Sequence, residues 1–221
     1  MLHSNMNITI GHKMYRSSST AMYSLGVHLD SVFSMDTMIN ECVKSCSFNL
    51  KKLQTIKYDL DTSSRLLAVK SHVLSKLDYC NILLCNVSAQ KLNSLTKVLH
   101  SAIRFVYNLK KREHISPYLK QAHILPVKFR IMYKSCLFVF KILHGISPQY
   151  LEDMAYIRFP SELNLRSNND VWKVELPAPN RTIQHAMLHT WNELPYNVRC
   201  LSSLDDFKTK LKTHYFSHAF S

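Results

Sequence analysis

The stretch LPVKFRIMYKSCLFVFKILHG (125–145) decides how this chain folds. Val127, Ile131, Phe138, Leu143 and their neighbours give it the apolar content of a helix that packs on a core. Pro126 can open such a helix because the first helical N–H has no partner to lose. Gly145 can end it, because the residue after the last turn favours a left-handed backbone. The longest apolar run, Cys136 to Phe140, lies inside this helix between Ser135 and Lys141 and is far too short to cross a bilayer.

Outward from this helix a three- and four-residue helical period recurs. Met35, Met38/Ile39, Cys42, Cys46, Asn49/Leu50, Leu53 and Ile56 form one stripe, with Ser34 as its expected N-cap. Leu66, Val69/Lys70, Val73 and Leu77 form a second, expected to start at Thr62. Leu92, Leu95, Leu99, Ala102/Ile103 and Val106 form a third behind Ser88. Short connections make these helices antiparallel neighbours. Pro117 and Pro148 open two further helices, with Ser116 and Ser147 as caps, and Ser203 caps a last one through Leu204, Phe207, Leu211 and Tyr215.

The two ends read differently. NITIGHKMY (7–15) alternates around Ile8 and Ile10, and MYSLGVHLD (22–30) places Leu25, Val27 and Leu29 on one side, a strand pattern. After Asp153 the helical period loosens. DVWKVELP (170–177) alternates Trp172, Val174 and Leu176 against Lys173 and Glu175, and TWNELPYNV (190–198) reads as a turn. The expected fold is mainly α. It is an antiparallel helical bundle with a short N-terminal β-hairpin and a small mixed α/β C-terminal subdomain, divided at residues 1–33, 34–153 and 154–221.

Composition narrows the function classes. Three glycines (Gly11, Gly26, Gly145) are too few for a phosphate-cradling loop or a dinucleotide fingerprint. No secretory leader is visible at the N-terminus, so an intracellular protein, nuclear or cytoplasmic, with no membrane partner is expected. The six cysteines (42, 46, 80, 85, 136, 200) lack zinc spacing. Cys42 and Cys46 stand four apart on a core face, so structural thiols, no metal and no cofactor are expected. The charge is uneven. Of a formal +13, the segment Arg65–Lys141 holds fourteen lysines and arginines against two acids, Asp78 and Glu113. Such a concentration is the footprint of a polyanion-binding face, and equally of a solvated basic surface.

No set of residues reads as catalytic. Asp205-Asp206 is an adjacent acid pair in the first turn of the helix behind Ser203, where carboxylates favour the macrodipole. His114 and His123 flank the Pro117 helix and read as packing or capping residues. Asp78, in SKLDYCN (75–81), lies among Arg65, Lys70 and Lys76, and reads as a partner for a cation or as a helix cap. The candidate nucleic-acid-binding residues are Arg104, Lys110, Lys111, Arg112, Lys120, Lys128, Arg130 and Lys134, interleaved with Phe105, Tyr107, Tyr118 and Tyr133. Cations neutralise phosphates without reading sequence, and aromatic faces stack on unpaired bases.

Taken in order, SLGVHLDS (24–31), SKLDYCN (75–81), HISP (114–117), LPVKFRI (125–131), FKILHGISPQYL (140–151), TWNELP (190–195) and SLDDFKTKLKT (203–213) resemble the region after the polymerase palm in reverse transcriptases of jockey-like non-LTR retrotransposons. The resemblance runs from about Ile8 to Phe216. It departs at Cys85-Asn86-Val87, where the family has Gly-Leu-Pro, at Ile124, where it has tryptophan, and around Gln184 to Met187, where it is longer and holds a glycine.

The resemblance implies a thumb-like helical region and a C-terminal subdomain of an RNA-directed DNA polymerase. The Tyr-x-Asp-Asp element that holds catalytic metal in that family is absent, so no polymerase activity is expected of the chain by itself. The expected partner is RNA or DNA, bound without sequence preference, and beside it the palm domain or another protein. Two alternatives stand beside this expectation: a co-opted protein-interaction module, and a mobile-element relic without function.

Overall fold

The computed structural model describes residues 7–10, 13–16, 22–30, 33–151, 173–177 and 182–221. The protein is mainly helical, with short antiparallel strands at its N-terminal end. β1 (Asn7–Ile10) pairs with β2 (Lys13–Arg16), and β3 (Met22–Ser24) pairs with β4 (Val27–Leu29) in a second hairpin. Leu25 and Gly26 join β3 to β4 with positive φ angles of 47° and 79°, the backbone that a two-residue primed turn requires. Leu25 therefore sits at the turn tip, 89% exposed, and does not share the buried face of Val27.

The helices follow as α1 (Asp36–Thr55), α2 (Thr62–Val69), a π turn (Lys70–Leu74) running into α3 (Ser75–Asp78), a 3-10 turn (Asn81–Leu84), α4 (Ala89–Tyr107), α5 (Ser116–Gln121), α6 (Val127–Leu143), α7 (Ile183–Asn192), α8 (Tyr196–Arg199) and α9 (Leu204–Phe220). Two apolar cores meet along α6. The first gathers α1, α2, α3, α4 and α5 around Cys46, Val69, Val73, Leu99, Ile103 and Phe105, and takes Val127 and Ile131 from the start of α6. The second joins Cys136, Val139 and Phe140 from the end of α6 to Leu188, Trp191, Phe207 and Leu211. The stripes of α1 and α4 lie on the first core as their periods predict, although Ile56 stays 44% exposed.

The π turn is met by α1. Asn49 donates to the carbonyl of His72 at 2.7 Å, and the thiols of Cys46 and Cys42 point to the carbonyls of Val73 and Lys76. In the second core, Phe140 stacks on Phe207 with ring centroids 4.2 Å apart, and Cys136 lies 3.2 Å from the Tyr215 hydroxyl. Burial pushes the Cys136 thiol up to about 12, so it packs as a neutral group.

Helix ends show where the readings hold and where they shift. α6 stops as expected: the Ile146 N–H reaches the Lys141 carbonyl and the Gly145 N–H the Ile142 carbonyl, with Gly145 at φ 62°. Ser203 caps α9 by accepting from the Asp206 N–H. At α2 the cap is Asp61, one residue earlier than expected. Its carboxylate accepts from Ser63 and Ser64 and is held down at about 2 by those bonds. At α1 the cap position is Met35, while Ser34 donates to Asp30 and accepts weakly from the Asp36 N–H. Ile115, not Ser116, precedes α5, and Ser88 precedes α4 without a side-chain cap bond.

The C-terminal part departs from two expectations. TWNELP is helical in its first half: Thr190, Trp191 and Asn192 finish α7, whose Met187, Leu188 and Trp191 recur at helical spacing and are buried. Residues 173–177 form no strand. Val174 exchanges two backbone hydrogen bonds with the Asn192 side-chain amide, at 3.0 and 2.8 Å, in place of a strand partner. The remainder of the strand expected at 170–177 and the boundary expected at 153/154 lie outside the described residues. Among the described residues no helix is long and apolar enough to cross a membrane.

Because Phe140 is fully buried between α6 and α9, Phe140→Ala is expected to cost about 3–5 kcal/mol in urea unfolding at unchanged m-value. A cost below about 1 kcal/mol would mean that α9 is not packed on α6.

Candidate nucleic-acid interface

SKLDYCN folds into a sharp reversal. α3 ends at Asp78, Tyr79 leaves it with an extended backbone, and Cys80 adopts a left-handed conformation at φ 49°. For a residue with a side chain that conformation costs about 1–2 kcal/mol, and its effect is to send consecutive side chains in different directions. Asp78 receives a two-pronged bond from Arg130 on α6, Nε to Oδ1 at 2.8 Å and Nη2 to Oδ2. The Tyr79 hydroxyl donates to the Leu25 carbonyl at the tip of the β3–β4 hairpin, at 2.5 Å. A Cβ at position 26 would lie 3.3 Å from the Tyr79 ring, so glycine at the turn also permits this close approach. Asn81 is buried, with its amide turned back to Asp78 at 3.4 Å. Asp78 thus pairs with a cation, as one of the two readings of it expected. That cation is Arg130, distant in sequence.

The eight candidate cations separate into three settings. Lys110, Lys111 and Arg112 are exposed on the loop after α4. Glu113 shapes that loop by accepting from the Lys110 N–H at 2.7 Å, and Arg104 reaches back from α4 to the Lys111 carbonyl at 3.2 Å. Lys128 lies on the other side of α6, in a small cleft with Thr190 and Glu193. Lys120, Arg130 and Lys134 face a third region, between α5, α6 and α9. Arg130 is engaged by Asp78, its side chain only 17% exposed, so it forms part of the cleft floor and not a free phosphate ligand.

That third region is an open cleft of about 740 Å³, continuous through His123, Tyr133 and Lys212 with a smaller hollow of about 200 Å³ above the Asp78–Arg130 pair. Its walls bring Lys120, Lys134, Lys208 and Lys212 together with the rings of His123, Tyr133 and Phe216. Lys208 also pairs with Asp205 at 3.0 Å on the solvent side of α9. His123 occupies the left-handed position that closes α5: its N–H meets the Lys120 carbonyl and the next N–H meets the Leu119 carbonyl. The capping role expected of it is seen, and the same turn presents its exposed ring beside Phe216, with centroids 5.7 Å apart. Tyr133 is half-buried, and burial raises its phenol above the usual range despite Lys208 nearby.

Lys208, Lys212 and Phe216 lie outside the segment that the charge count singled out. Their spacing, four residues each along α9, is the signal that puts them on one face. Of the interleaved aromatics, Phe105 is buried in the first core, and Tyr107 and Tyr118 pack on each other with centroids 5.1 Å apart. Asp205 and Asp206 are exposed in the first turn of α9. Among the described residues no group of three histidine, cysteine or acidic side chains is placed to hold a metal ion.

Comparison with known proteins adds no assignment: no family model, curated protein or solved structure matches the chain.

The hub gives a direct test. In a double-mutant cycle of Asp78→Asn and Arg130→Met, read by chemical denaturation, the coupling is expected at about 1–3 kcal/mol, and Tyr79→Phe alone is expected to have the smaller effect, because its hydroxyl is exposed. Additive single effects would remove the ion pair as an organising contact.

Proposed function

We propose that this chain is the thumb-like and C-terminal region of a jockey-like non-LTR retrotransposon reverse transcriptase, and that it grips nucleic acid without sequence preference and does not polymerise by itself. The observation that carries the reading is the Asp78–Arg130 pair. Two of the segments behind the resemblance, SKLDYCN and LPVKFRI, are far apart in sequence and bond to each other at the floor of the basic cleft. A third, SLGVHLDS, is tied to the first through Tyr79 and Leu25. The cations around the cleft and on the loop 110–112 would contact phosphates, whose spacing rather than identity they sense. An intracellular setting, nuclear or cytoplasmic, goes with that partner.

Nucleic-acid affinity is expected to fall steeply between low and physiological salt, because each neutralised phosphate releases counterions. Reversing Lys110, Lys111 and Arg112 to glutamate is expected to weaken binding about tenfold or more at low salt, measured by fluorescence anisotropy. Binding that ignores salt, or none at low salt, would contradict the reading. In primer extension on an RNA template with magnesium, nucleotide incorporation is expected to stay at background, since the Tyr-x-Asp-Asp carboxylates that would hold the metals are not in this sequence. Incorporation above background would overturn that half of the proposal.

One observation favours a second reading, a protein-interaction module. Met22, Tyr23, Leu25 and Phe33, on or next to the β3–β4 hairpin in sequence, are each more than half exposed, apolar area of the kind that partners cover. A chain that stays monomeric and exposes no dye-binding apolar surface would count against it.

A further inference from the structure

The cleft between α5, α6 and α9 has the chemistry of a site for an unpaired strand more than of a surface for a duplex. Its volume, about 740 Å³, lies in the range of pockets that enclose small ligands, about 300–1,000 Å³. A rod-like duplex would lie across such a recess, whereas one or two nucleotides would enter it. Cations stand on both walls: Lys120 from α5 on one side, Lys208 and Lys212 from α9 on the other, with Lys134 at the adjoining hollow. The carboxylate at the floor, Asp78, is already taken by Arg130, so it does not offset the four lysines. Asp205 draws on Lys208 from outside the recess. Between the lysines stand aromatic rings, with the exposed His123 ring backed by Phe216 and the half-buried Tyr133 nearby. Phosphate-binding cations around a stacking surface are the two components of sequence-tolerant single-strand binding.

We propose that this cleft takes the unpaired end of a nucleic-acid strand, with its phosphates on Lys120, Lys208 and Lys212 and a base laid against the His123 ring. The proposal rests on the nucleic-acid reading above and narrows it to a single-stranded partner at one place on the surface.

The test is fluorescence anisotropy of the full chain at low salt with labelled single-stranded RNA, single-stranded DNA and a blunt duplex of the same length. Single strands are expected to bind at least about fivefold more tightly than the duplex, and the tighter single-strand arm identifies the preferred sugar. Lys120→Glu and Lys212→Glu are both exposed changes and are each expected to weaken single-strand binding about tenfold. His123→Asn keeps a residue that tolerates the left-handed cap and removes the ring, so the fold is retained. It is expected to lower single-strand affinity about fivefold or more and to leave the duplex unaffected. Circular dichroism confirms that each variant is folded.

Single-strand affinity that is indifferent to Lys120→Glu, Lys212→Glu and His123→Asn, while reversal of Lys110, Lys111 and Arg112 abolishes it, would overturn this inference and leave the broader reading standing. Equal affinity for the blunt duplex would overturn it as well. Absence of binding to all three probes at low salt would overturn both.

Discussion

Arg130 projects from the first turn of α6, the protein's organising helix, onto the carboxylate that ends α3, and much of the arrangement follows from that bond. α6 contributes to both cores, Val127 and Ile131 to the first and Cys136, Val139 and Phe140 to the second. A helix shared in this way could slide or rotate and still bury apolar atoms. A bidentate guanidinium–carboxylate contact is directional, and it is satisfied in one rotation and one height. Both partners are partly withdrawn from water, so breaking the pair would leave a poorly solvated charge. The same rotation decides where other cations go. Lys134, one turn after Arg130, joins the cleft above the pair, while Lys128, two residues before it, falls on the opposite side beside Glu193.

The second arm of this constraint is the reversal at Cys80. With Tyr79 extended and Cys80 left-handed, Asp78 and Tyr79 point to different parts of the molecule, one to α6 and the other to the β3–β4 hairpin. A regular helix would have kept neighbouring side chains on adjoining parts of one surface. The strain at Cys80 is offset by contacts that it alone makes possible, including the buried Asn81 amide turned toward Asp78. The hairpin has few other attachments: Val27 is buried and Leu29 packs on the first core, while Met22, Tyr23 and Leu25 stay in solvent.

The helices α1, α4 and α6 were legible in the sequence because long, regular stripes such as Leu92–Leu95–Leu99–Ile103–Val106 leave no other period open. Their ends were less so. Ser34, Thr62 and Ser116 are ordinary capping residues, but Asp61 stands one position before Thr62 and carries a better acceptor, and the bond chosen depends on backbone geometry that composition does not encode. TWNELP reads as a turn when its proline and asparagine are weighed alone. Ile183, Met187, Leu188 and Trp191 upstream supply the helical face that carries Trp191 into the second core. The pairing of Asp78 with Arg130 was half visible: an acid among cations implies a partner, but a separation of 52 residues hides which one. Counted as a phosphate ligand, Arg130 is instead spent on the fold.

The basic cleft is a tertiary object, and that is why a charge count along the chain sees only part of it. Lys120, Lys134, Lys208 and Lys212 come from three helices, and the last two lie in a segment whose acids, Asp205 and Asp206, dilute its charge in any linear tally. They reach the cleft because Phe207, Leu211 and Tyr215 on the other face of α9 insert into the second core, against Phe140 and Cys136. Burial of that apolar face, at about 25 cal/mol per Å², holds like charges together that would otherwise separate. The site and the core are therefore coupled. A change that loosens α9 would disperse the lysines, and an anion held between them would in turn favour the docked position of α9.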